Sequence, residues 1–111
     1  MVSALIGAGF MGDVHSRALK GAGIEIAGIV SSTPEKSQQA ASSLGINRAY
    51  RSVEELLAES DVTVVHVLTP NESHAKYVSM ALDAGKHVVC EKPLTVDAAE
   101  AMALTQRAQE L

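Results

Sequence analysis

Apolar positions along the chain alternate between two rhythms. Residues 2–6 form a short, almost wholly apolar run, the pattern of a strand buried on both faces of a parallel sheet. Residues 10–20 then place Met11, Val14 and Ala18 at i, i+3 and i+7, which predicts a helix with that face inward. Gly21 and Gly23 close it. Residues 24–30 read as a second strand. Thr33 followed by Pro34 marks a helix start, and that helix should run to Leu44 and stop at Gly45. A short, weakly marked strand is expected near residues 48–50. Ser52 and Glu55 have the spacing of a capping box for a helix containing Leu56 and Leu57.

Residues 62–68 are rich in β-branched side chains and give the clearest strand. Thr69-Pro70-Asn71 breaks it, and Asn71 is expected to cap a helix reaching Leu82, with Ala75, Val78 and Leu82 inward. Gly85 ends that helix, residues 87–90 supply a fifth strand, and residues 96–111 are expected to be mostly helical. Strands alternating with helices over short connections predict an α/β fold, a doubly wound parallel sheet with right-handed crossovers. Linkers, repeats and low-complexity tracts are absent from the pattern. Such sheets usually have a sixth strand, so residues 1–111 read as one dinucleotide-binding domain, incomplete, of a longer protein.

Composition narrows this picture. Hydrophobic residues make up 47% and charged residues 20%, the balance of a globular fold with a real core. Aromatics are only 3% and Trp is absent, so Val, Ile, Leu, Ala and Met must fill that core. A formal net charge of -4 without a block of like charges gives no electrostatic case for nucleic acid or an anionic membrane. The single cysteine, Cys90, cannot form an internal disulfide, and no signal-peptide pattern opens the chain; a cytoplasmic protein is expected.

Gly7-Ala8-Gly9-Phe10-Met11-Gly12 matches G-x-G-x-x-G between an apolar strand and an amphipathic helix, the context that gives the pattern meaning. Gly7 would permit the tight turn, Gly9 would let backbone approach a pyrophosphate, and Gly12 would let helix and strand pack closely. The pyrophosphate would rest on unpaired N–H groups at the helix N-terminus. A tight turn without a ligand leaves two of the glycines without a strong reason. A P-loop fails for want of Gly-Lys-Ser/Thr. An NAD site usually ends its second strand in Asp or Glu; here Ser31 and Ser32 stand instead, and the nearest acid, Glu35, belongs to the next helix. Without a carboxylate to repel it, a 2′-phosphate can be accommodated, with Lys36 nearby, so NADP is favoured slightly over NAD.

Two further stretches follow the later strands, where open α/β sheets bind ligands: Thr69-Pro70-Asn71-Glu72-Ser73-His74, and Ala84 to Leu94, which contains Glu91-Lys92-Pro93. A lysine at such a strand end can bond a substrate oxygen or pass a proton; a solvated charge pair is the plainer reading. Together with Gly7 to His15, these stretches resemble the glucose–fructose oxidoreductase/inositol dehydrogenase (Gfo/Idh/MocA) family across nearly the whole chain. The resemblance implies that Gly7, Gly9 and Gly12, with backbone of Phe10 and Met11, hold the pyrophosphate. Ser31 and Ser32 would sit at the adenosine ribose. Thr69, Pro70, Asn71 and His74 would line the cofactor beyond its phosphates. Glu91 would bond the nicotinamide-side ribose, and Lys92, before Pro93, would orient a substrate hydroxyl and join a proton relay. It further implies hydride transfer to or from a sugar, cyclitol or related polyol. A second α+β domain, absent here, would carry most substrate contacts and any oligomeric contact, leaving this chain alone inactive.

The rival reading is a non-catalytic NAD(P)-binding sensor or regulatory module, which the Glu-Lys-Pro stretch opposes. An adenosyl ligand is opposed by the complete glycine pattern. His15 reads as a helix-packing or hydrogen-bonding residue, His66 and His87 as structural histidines inside strands, and Cys90 as a buried small hydrophobe. No side-chain spacing fits a metal site.

Overall fold

The computed structural model describes residues 2–90, 102 and 105–109, Asn71 by its backbone alone. The four strands are β1 (Val2–Ile6), β2 (Glu25–Val30), β3 (Val64–Val67) and β4 (His87–Cys90). All neighbours pair in parallel, in the order β2-β1-β3-β4. The chain therefore leaves β1 to one side for β2 and returns to the other side for β3. That reversal opens a crevice above β1 and β3. The strand expected near residues 48–50 is reduced to one parallel bridge between Ile29 and Ala49.

The helices are α1 (Gly9–Gly21), α2 (Pro34–Leu44), α3 (Val53–Leu57) and α4 (His74–Asp83). They cover both faces of the sheet and divide its core in two. Leu5, Ile29 and Leu68 pack with Leu19 of α1 and Ala41 of α2. Ala4, Ile6, Val65 and Val67 pack with Leu56 of α3 and with Val78, Ala81 and Leu82 of α4. Alternate residues of each central strand thus feed opposite cores, which explains why β1 and β3 are almost wholly apolar, with Ser3 and His66 as buried exceptions. Residues 102 and 105–109 are helical, and Arg107 ties them to α4 through Ser79 Oγ at 2.9 Å and an ion pair with Asp83.

Several local expectations need correction. α1 buries Gly12, Ser16 and Leu19, while Val14 and Ala18 face solvent. Two small residues and Leu19 mark the buried face, and of the expected stripe only Met11 packs on the core. Asn71 does not cap α4: Asn71–Ser73 form a 3-10 turn, and α4 begins at His74. The Ser73 amide bonds back to Pro70 O at 3.0 Å, so the chain leaves β3 through a tight turn before it can enter the helix. The Ser52 capping box is half formed. Ser52 Oγ accepts from the Glu55 amide at 3.1 Å, but the Glu55 carboxylate turns to Arg48. His87 is exposed rather than enclosed, because only one side of β4 is paired among the described residues. Cys90 is half-buried against the α4-side core.

Candidate cofactor site

The glycine loop crosses the carboxyl end of β1. The Gly7 amide donates to Val30 O at 2.8 Å, binding the turn to the end of β2. Gly7 has φ +106°, and a Cβ there would stand 2.8 Å from Leu68 C and 2.9 Å from Leu68 O. Only glycine lets this loop pass so close to the end of β3. Gly9 has φ +74° with no atom within 4 Å of a Cβ placed on it, so its side of the loop is open. Gly12 differs from expectation. A Cβ there would make ordinary contacts, 3.7 Å from Gly7 O and 3.8 Å from Leu44 Cδ1.

Helix α1 opens at Ala8 with no side-chain cap and no acid in its first turn. Its first amides consequently lack intrahelical partners and carry the positive end of the helix dipole. By contrast, α2 is capped by Thr33 Oγ1, which accepts from the Lys36 amide at 3.1 Å. Of the two helix starts at the loop and at the end of β2, α1 is the one left open for an anion.

A groove of about 300 Å³ lies beside this loop, on the α3 and α4 side. Its floor is Ile6, Gly7, Ala8, Val30 and Leu68, and its rim includes Ser31, Ser32, Thr69 and Pro70. Residues from three strand ends and the loop are thereby brought together, as the sequence led us to expect. The Ser31 amide donates to buried Ser37 Oγ at 2.7 Å, and that hydroxyl donates to Thr33 O at 3.0 Å. Ser37 therefore fixes the bend after β2, a role that sequence reading missed. Ser73, from the Thr69–His74 stretch, also lines the groove; Val53 and Tyr77 line it too and were missed, because nothing local marks the first residue of a short helix or the flank of a longer one as a wall.

Other expected residues fall elsewhere. The Phe10 side chain is 79% exposed, which leaves only its backbone for the loop's anion. His74 lies behind the groove wall, 1% exposed, with Nε2 2.8 Å from Thr69 O. Ser73 Oγ, 2.7 Å from Thr69 Oγ1 and 2.8 Å from Pro70 O, holds the same turn from its other side. Lys86 is remote in role. Its Nζ donates to Glu59 O at 2.8 Å and Val62 O at 2.7 Å, joining the start of β4 to the approach to β3. Glu91, Lys92 and Pro93 lie outside the described residues, and so do the remaining residues of the helix expected over 96–111.

His15 and His66 form a pair across the α1-side core, Nδ1 to Nδ1 at 3.0 Å with the rings edge to face. Burial, reinforced by His15, pushes the His66 pKa down to about 4. His66 is thus neutral at pH 7 and acts as the structural histidine expected of it. Among the described residues no cluster of metal-ligating side chains occurs, and no helix is long and apolar enough to cross a membrane.

Comparison with known proteins gives a consistent result. The family model described as "Oxidoreductase family, NAD-binding Rossmann fold" (GFO_IDH_MocA) matches residues 2–111. The chain is 39% identical over 111 residues to UDP-N-acetylglucosamine 3-dehydrogenase of Acidithiobacillus ferrooxidans, covering 99% of this chain and 34% of that protein. A solved structure of that enzyme matches with a TM-score of 0.87 at 37% identity, over 99% of this chain and 35% of the other. A levoglucosan dehydrogenase in complex with NADH gives a TM-score of 0.92 at 30% identity, over 99% and 32% of the two chains. A 3-ketoreductase from Actinomadura kijaniata, in complex with TDP-benzene and NADP, gives 0.90 at 29% identity, over 99% and 35%. The chain spans about a third of the length of these relatives.

Proposed function

The chain belongs to the Gfo/Idh/MocA oxidoreductase family, an NAD(P)-binding Rossmann domain, and on that premise we propose that it serves a dehydrogenase or reductase acting on a sugar, cyclitol or related polyol. The carrying observation is the uncapped start of α1 beside the open face of Gly9, above the groove. Those features fit a pyrophosphate joined to two nucleosides: amides for the anion, and a cavity for one nucleoside. The carbohydrate names of the relatives support the substrate class.

In this reading Gly7, Gly9 and Gly12, with the amides of Phe10 and Met11, hold the pyrophosphate. Ser31 and Ser32 take the adenosine ribose. Thr69, Pro70 and Asn71 flank the cofactor beyond its phosphates, and His74 serves by holding the Thr69 carbonyl. A bound nicotinamide supplies the hydride acceptor or donor. Glu91 anchors its ribose. Lys92 orients the substrate hydroxyl and passes on the proton released as the carbinol becomes a carbonyl. In a full-length protein, Lys92→Ala should keep cofactor affinity and lose most turnover; unchanged turnover removes Lys92 from the mechanism.

NADP is the proposed cofactor over NAD. No carboxylate ends β2, and exposed Lys36 lies in the first turn of α2, close in sequence to Ser31 and Ser32. Side-by-side calorimetric titration with NADPH and NADH should give tighter NADPH binding. Tighter NADH binding assigns the site to NAD, and binding of neither overturns the cofactor reading.

A further inference from the structure

Among the described residues lining the groove, Tyr77 of α4 carries the only aromatic ring. We propose that Tyr77 is the seat of the purine base, and that it sets the affinity of the site for the adenosine half of the dinucleotide. This rests on the cofactor reading above. Val53 and Pro70 line the same groove, so a ring and two apolar surfaces share one cavity with Ser31 and Ser32, where the ribose is proposed to lie. A purine attached to that ribose needs an apolar slot with a flat surface, and this cavity supplies one. Its volume of about 300 Å³ suits a nucleoside rather than a whole dinucleotide.

The inward positions of α4 are His74, Val78, Ala81 and Leu82, whereas Tyr77 is half-buried at the edge of that face. It therefore packs on the core with one part and meets the groove with another. Lys76 Nζ lies 5.4 Å from the ring centroid, a cation–π contact. A base resting on an aromatic ring is favoured through its π face, whatever its hydrogen-bonding edge.

The test uses ADP-ribose as the probe and reduced nicotinamide mononucleotide, which lacks the purine, as its counterpart. With two Tyr, one Phe and no Trp, the aromatic proton NMR spectrum is simple, and Tyr50, fully buried in the core, is an internal control. Saturating ADP-ribose should shift the Tyr77 ring protons upfield and leave those of Tyr50 in place, while the mononucleotide moves neither. Tyr77→Leu should weaken ADP-ribose binding roughly tenfold and Tyr77→Phe should leave it nearly unchanged, as expected for a lost base stack. Tyr77 signals that stay put under saturating ADP-ribose overturn the purine seat and leave the cofactor reading standing. A wild-type chain that binds neither ADP-ribose nor NADPH overturns both.

Discussion

Gly7→Ala should lose stability and cofactor binding together, whereas Gly9→Ala should lose binding with its fold nearly intact. The two loop glycines have positive φ for different reasons. At Gly7 the backbone sits at +106°, and a methyl group would meet the carbonyl carbon of Leu68 at 2.8 Å and the Thr69 nitrogen at 3.0 Å. These are backbone atoms at the end of a central strand, already tied by the Leu68 amide to Ile6 O at 2.8 Å, and they cannot swing aside as a side chain can. Dihedral strain and overpacking together should lower stability by about 3 kcal/mol. At Gly9 the angle of +74° is close to the left-handed well and no protein atom is near, so alanine should cost about 1 kcal/mol. The open space there is what the pyrophosphate is proposed to fill, and a methyl group would stand in it. Urea unfolding and NADPH titration on the two variants separate these effects. Wild-type affinity in Gly9→Ala would remove the loop from the cofactor site.

The strand pattern and the glycine loop were legible because each depends on residues adjacent in sequence. Residues 2–6 are apolar apart from buried Ser3, as a central parallel strand should be. Thr33-Pro34 and Gly45 bracket α2 through backbone chemistry confined to its own ends. What failed depends on partners far along the chain. The apolar stripe Met11–Val14–Ala18 aimed α1 only in part: Met11 packs on the core, whereas Val14 and Ala18 face solvent. The helix buries Gly12, Ser16 and Leu19 instead, a face that hydrophobicity alone does not mark. The His74 position was clear as part of a motif, but its burial behind Thr69 was not, since the motif says nothing about which wall it stands on. Tyr77 was invisible for the related reason that its neighbours Val53 and Pro70 come from two other segments.

Acid should destabilise this fold through His66. The ring is 7% exposed inside the α1-side core, and its pKa falls from an ordinary 6.5 to about 4, chiefly by burial and then by His15. The folded state thus holds the neutral ring, while the unfolded chain binds a proton near pH 6.5. Stability is fully present above that pH and is lost as pH falls from 6.5 towards 4, after which both states carry the proton. One proton difference across that window amounts to about 3 kcal/mol. At 3.0 Å one Nδ1 donates and the other accepts. The amide of His66→Asn can stand in for Nδ1 as an acceptor and does not titrate. Its unfolding free energy should therefore fall less steeply than wild type between pH 6.5 and 4, by up to one proton in slope. Equal slopes in the two proteins would show that acid unfolding proceeds through other groups and that the histidine pair contributes nothing to it.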